Sequence, residues 1–184
     1  TLGDLDEILA EAARLDVKPW VAWQAREWLA ATGVAGLDRL ALGIAEASAD
    51  KADLVDCLAA VEAPEVAPIM LGVRKYAACK EAARAWFEAH PVFAIEGLLP
   101  LVGTKDKLAR SAVELLIGAR RRGYGPLIAE LARGDESVAA LVLDESMDRS
   151  RPTAADRALA QTLPSIAIDT EAGPRALGID VVAR

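Results

Sequence analysis

Residues 25–44 and 83–102 are versions of one another, and this likeness limits the fold more than any other feature of the chain. A shift of 58 positions lays "AREWLAATGVAGLDRLALGI" over "ARAWFEAHPVFAIEGLLPLV". Ala25, Arg26, Trp28, Ala31, Val34 and Leu40 then meet Ala83, Arg84, Trp86, Ala89, Val92 and Leu98, with Leu37/Ile95, Asp38/Glu96 and Ile44/Val102 as conservative pairs. Dropping four residues further on brings Lys51 and Leu54 over Lys105 and Leu108. The copies run over about 20–61 and 75–122. A repeated helix–corner–helix unit exposes an apolar face that only its neighbour can cover, which is the unit of an α-solenoid. Chance likeness between two Ala-rich helices is the competing explanation.

Helical periodicity supports the solenoid. Tyr76, Cys79, Ala83, Trp86, Phe87 and His90 recur every three or four residues, with Lys80, Glu81, Arg84 and Glu88 on the opposite side. Leu108, Ala112, Leu115, Leu116 and Ala119 repeat the pattern over 105–122, with Thr104 as the expected N-cap. Further helices are predicted near 4–15, 20–32, 35–47, 51–61, 65–73, 91–102, 126–133 and 135–145. The expected fold is all-α, about ten short antiparallel helices forming an α-α superhelix over 1–145. Residues 146–184, with prolines at 152, 164 and 174, read as an irregular or extended segment that either lies on the helices or leads, as a linker, to a missing domain. Within them "PSIAI" and "GIDVV" could pair with each other or with a missing piece.

Composition removes several functions. Only 4% of the 184 residues are aromatic, so the core must be aliphatic. The net charge of −7 repels polyanions, so nucleic-acid binding would need a strong local patch. Cys57 and Cys79 form no CxxC and have no nearby histidine, which argues against a metal; a disulfide stays open, with a cytosolic thiol pair the plainer reading. There is no apolar run of 18 residues and no leader pattern, so a soluble, cytoplasmic protein is expected. A chain starting at Thr1 suggests a fragment of something longer, and its exposed apolar surface could then drive a homodimer. No GxSxG, P-loop or GxGxxG occurs, so neither a catalytic residue nor a cofactor is expected.

The candidate sites are few. His90, the only histidine, has Thr32 as its repeat twin, and Pro91 follows it as a helix-starting residue, so position 90 reads as a corner. Lys105, Lys107, Arg110, Arg120, Arg121 and Arg122 could form a patch facing phosphates, with Tyr124 stacking. The plainer reading has three arginines complementing the negative end of a helix that Gly123 stops. Trp20, Trp23 and Trp28 could line an aromatic pocket, Trp20 and Trp23 sharing a face, but read more readily as core anchors. The carboxylates of 6–16 and 144–152 read as solvated faces. The leading expectation is a non-enzymatic interaction module with its surface around Arg26, Glu27, Arg84 and Glu88. The alternatives are a DNA- or RNA-binding domain using the basic patch, and an enzyme with a Trp-lined pocket.

Residues 79–132 resemble a bacterial family of molybdate metabolism regulators, large proteins that often carry a WGR domain beside a domain of unknown function. The matching elements are the corner Trp86, Phe87, His90 and Pro91, the Leu-Leu-Pro-Leu element at 98–101, the Gly-Thr-Lys turn at 103–105 and the Arg-Gly helix end at 122–123. The resemblance implies a HEAT-like helical segment of a cytoplasmic protein, with partners among other proteins or domains of the same chain, and a part in transcriptional or metal-oxyanion control. No WGR signature is present, and no Gly-Ser-Thr cluster offers the convergent N–H groups that molybdate would need.

Overall fold

The chain divides into two units, Thr1–Asp144 and Glu145–Arg184. A computed structural model describes residues 4–143 and the strands at 166–170 and 173–177. The described part of the first unit is helical: α1 (Leu5–Arg14), α2 (Ala22–Thr32), α3 (Leu37–Glu46), α4 (Lys51–Ala59), α5 (Val66–Val73), α6 (Lys80–Ala89), α7 (Pro91–Leu98), α8 (Ala109–Ala119), α9 (Gly125–Leu131) and the single turn α10 (Glu136–Val138). Short 3-10 turns link several of them. Ala22–Glu46 is long and apolar enough to cross a membrane, but the 3-10 turn Gly33–Gly36 separates α2 from α3.

The 58-residue step reappears in the helix boundaries. α2 and α6 begin one step apart, at Ala22 and Lys80; so do α4 and α8, at Lys51 and Ala109. α5 and α9 differ from it by one residue. The match in boundaries extends beyond the stretches compared in sequence, to α5 and α9. It also needs no four-residue gap: Leu54 corresponds to Ala112 and Leu58 to Leu116, all buried, whereas Leu108 lies half-buried before α8. Burial follows the same step. Ala25/Ala83, Leu37/Ile95, Leu40/Leu98, Ile44/Val102 and Met70/Ile128 are buried pairs, and Val34/Val92 is an exposed pair.

Packing is local. α2 lies on α4, α3 on α4 and α5, α4 on α5 and α6, α5 on α6 and α7, and α7 on α8. Glycine sets the closest approach. A Cβ on Gly97 of α7 would lie 1.9 Å from the Pro64 carbonyl oxygen, and one on Gly43 of α3 would lie 2.1 Å from that of Pro19. Only a hydrogen in place of a side chain lets these backbones touch.

The corners differ in chemistry. α6 ends at His90 (φ −122°, ψ 56°), which also opens α7, with Pro91 as its first residue. A proline ring suits that position because its missing N–H has no partner there. In the first copy α2 ends at buried Thr32, whose hydroxyl donates to the Trp28 carbonyl at 2.7 Å, and Gly33 turns the chain at φ 57°. α7 therefore starts four residues earlier in its copy than α3 does.

Three local expectations are corrected. Thr104 does not cap α8: its hydroxyl donates to the Leu101 carbonyl and accepts from Asp106 N–H, Asp106 accepts from Leu108 N–H, and the helix starts at Ala109. The Asx turn at Asp106 competes with helix and delays it. Tyr76 is extended and lies outside α6, which a 3-10 turn at Ala77–Cys79 precedes. In the second unit β1 (Ile166–Thr170) pairs antiparallel with β2 (Gly173–Leu177), Ile168 opposite Arg175. The strand of "PSIAI" thus pairs with "GPRAL"; "GIDVV" lies outside the described residues, as do the carboxylates of 144–152.

A charge network ties the loop before α2 to α3. Lys18 Nζ lies 2.8 Å from Asp16 and 2.7 Å from Glu46, and Arg39 lies 3.2 Å from Asp16. Hydrogen bonds donated by Lys18 to Asp16 and then Glu46 hold its pKa above the ordinary 10.5. Lys18, with Arg39 adding to it, holds that of Asp16 below 3.8. The lowered carboxyl contributes stability above its ordinary value and loses it as pH falls through the folded value; the raised amine contributes below 10.5 and loses it as pH rises through its folded value. Urea midpoints should therefore fall at both extremes, and Lys18→Met should flatten the acid limb. An acid limb identical in Lys18→Met and the parent chain would show that the network does not couple to folding.

Candidate interaction surface

The largest opening among the described cavities lies between α3 and α5. Small side chains create it: Ala41 and Ala45 on α3 face Pro68, Ile69, Gly72 and Val73 on α5, and the space between them holds about 270 Å³. α5 and α7, by contrast, close on each other through Gly97. The floor is apolar, and Lys75 and Tyr76 stand at one end.

That end is cationic. Lys51 Nζ lies 4.1 Å above the Tyr76 ring and Lys75 Nζ 4.9 Å from the same ring. Lys51 also donates to the carbonyls of Ile44 and Ala45 at the end of α3, where a cation meets the negative end of the helix dipole. Neither lysine has a carboxylate partner among the described residues, although most of the other cations around α1, α3 and α6 do. Cys79 follows Tyr76 in the same corner; burial pushes its thiol pKa up, so it is a poor nucleophile there. Cys57 is also buried, and both thiols are free. Among the described residues no three His, Cys, Asp or Glu side chains are placed to hold a metal.

The other sequence candidates fall into separate places. His90 is half-buried, with its ring centroid 5.3 Å from that of Trp86 and 6.3 Å from that of Phe93, an aromatic contact at the corner. Lys105, Lys107 and Arg110 lie before and at the start of α8, whereas Arg120, Arg121 and Arg122 follow its last residue. About 15 Å of helix separates the two trios. Arg110 pairs with Glu114, and Arg120 turns inward to donate to the Val142 carbonyl at 2.9 Å. Gly123, at φ 99°, ends the helical path after the three arginines. Arg26, Glu27, Arg84 and Glu88 are exposed, and Arg84 is held by Glu81 and Glu88.

The tryptophans divide, and the expectation that all three near residue 20 anchor the core is wrong for two of them. Trp20 is 49% and Trp23 59% exposed. Trp20 precedes α2 and Trp23 lies in its first turn, and neither lines a described cavity. Trp28 is half-buried and donates to the Gly36 carbonyl at 2.8 Å. Sequence reasoning passed over the α3/α5 groove altogether, because Ala41, Ala45 and Gly72 carry no chemical signal in an alanine-rich chain. No protein-family model matches this chain, and neither a curated protein nor a solved structure matches it.

Proposed function

We propose that the chain is a non-enzymatic interaction module, a HEAT-like superhelix of antiparallel helix pairs that uses the α3/α5 groove to receive an apolar helix from a protein partner or from another domain. The observation that carries this reading is the groove itself: an apolar channel left open in a stack whose neighbouring contact is closed. Its size and openness suit side chains of a docking helix better than an enclosed small molecule, since ligand pockets are larger and bury most of what they hold. The two-copy step in helix boundaries and burial supports the superhelix.

The Trp86–His90–Pro91 corner supports a place among the molybdate metabolism regulators, in which the module would serve transcription control. Two free buried thiols suit a reducing cytoplasm. The basic residues give a nucleic-acid role little support, being split between the ends of α8 in a chain of net charge −7.

A photo-crosslinking amino acid at Ala41, in the groove, should give a discrete protein adduct in an extract of the source organism. The same group at exposed Ala129 should give none. Equal labelling at both positions, or no adduct at Ala41, would remove the groove as the interaction surface.

A further inference from the structure

Building on the α3/α5 groove as the interaction surface, we propose that it receives helix α1 of a second copy of this chain. The first argument is pattern. Leu5, Ile8, Leu9 and Ala12 fall at i, i+3, i+4 and i+7, the anchor spacing of a helix that lies in a groove. Ala12 is buried, but Ile8 and Leu9 are only half-buried and Leu5 is exposed. Alone among the helices of the described residues, α1 forms no close-packed pair with another element. The stripe spans two turns, as does the groove wall from Pro68 to Tyr76.

The second argument is charge. Asp4 and Asp6 flank the stripe and Glu7 completes an acidic first turn, while Glu11 is already committed to Arg14 at 2.5 Å. The groove ends in Lys51 and Lys75, which have no carboxylate partner among the described residues. An acidic apolar helix therefore complements a cationic apolar channel.

The third argument is the tether. Asp16 binds Arg39, Lys18 binds Glu46, and the Pro19 carbonyl rests against Gly43. At 100° per residue, positions 39, 43 and 46 share one face of α3, and the groove residues Ala41 and Ala45 lie on the other. Each chain thus holds the segment that follows its own α1 on the far side of α3 from its own groove. Exchange between two copies fills both grooves at once and closes as a twofold dimer. Release of α1 uncovers little, since Ala12 is its one fully buried residue.

Sedimentation of the full chain over a concentration series should show a dimer, and a labelled peptide of residues 4–15 should bind in trans. Gly72→Leu adds bulk to the groove wall without a backbone clash, because a Cβ there meets only the Leu108 side chain at 3.8 Å. It should abolish both while leaving the helical circular dichroism intact. Lys75→Glu should weaken peptide binding about tenfold, and a peptide with Asp4→Lys and Asp6→Lys should recover it on that variant. A chain that stays monomeric at about 100 µM and ignores the peptide overturns the proposal. So does a dimer that survives Gly72→Leu, which would place the contact elsewhere, for instance at Trp20 and Trp23. If either result accompanies a specific adduct from Ala41, the groove remains an interaction surface for a different occupant.

Discussion

Gly97→Ala should lower stability by about 3 kcal/mol, the upper end of what overpacking a well-filled interior costs. Helix propensity alone gives the opposite sign, since alanine is about 1 kcal/mol better than glycine inside a helix. Geometry decides between them. The new methyl would lie 1.9 Å from the Pro64 carbonyl oxygen, 2.8 Å from its carbon and 2.9 Å from Ala67 Cβ. Two of these atoms are backbone, so α7 and the chain before α5 must separate. For a domain of this size the midpoint should fall by roughly 10 °C. Gly72→Ala is the matched control: it also lies in a helix, its methyl meets nothing closer than 3.8 Å, and it should gain about 0.5–1 kcal/mol. Thermal and urea unfolding of the pair should move in opposite directions. A rise in both would mean that α7 does not approach Pro64 this closely.

Trp86→Ala should cost about 4 kcal/mol and its repeat twin Trp28→Ala roughly half as much. The two indoles occupy matching positions of the repeat but do different work. Trp86 is 2% exposed, donates to the Val61 carbonyl at 3.3 Å and meets the Phe87 ring edge-on at a centroid separation of 5.4 Å. Its removal leaves a large cavity and an unpaired carbonyl between α4 and α6. Trp28 is half-buried and spans only its own corner through the Gly36 carbonyl, so water fills part of the space it leaves. Equal losses in urea unfolding would mean that both copies bury their tryptophan to the same depth.

The likeness between 25–44 and 83–102 was legible because both stretches face the same demand. Ala25 and Ala83, Leu37 and Ile95, and Leu40 and Leu98 are buried together because a helix stripe must keep its apolar character wherever it meets a neighbour. The corner at residue 90 was legible for a backbone reason: proline disfavours helical geometry in the residue before it. Thr104 misled because a hydroxyl before a helix-like pattern suits an Asx-type turn as well as a cap. Trp20 and Trp23 misled because periodicity tells which side chains share a face and not whether anything lies over them.

The sequence by itself determined the helical character of the described residues of the first unit and several of its corners at Gly and Pro. These depend on local backbone preference and on the spacing of apolar residues, both of which are written along the chain. Which neighbouring helices close and which stay apart was decided only by the tertiary structure. α7 reaches α5 because Gly97 meets the Pro64 backbone, while Ala41, Ala45 and Gly72 leave α3 and α5 with a channel between them. A small residue permits close approach or leaves a space, and the outcome depends on where the rest of the stack holds the two backbones.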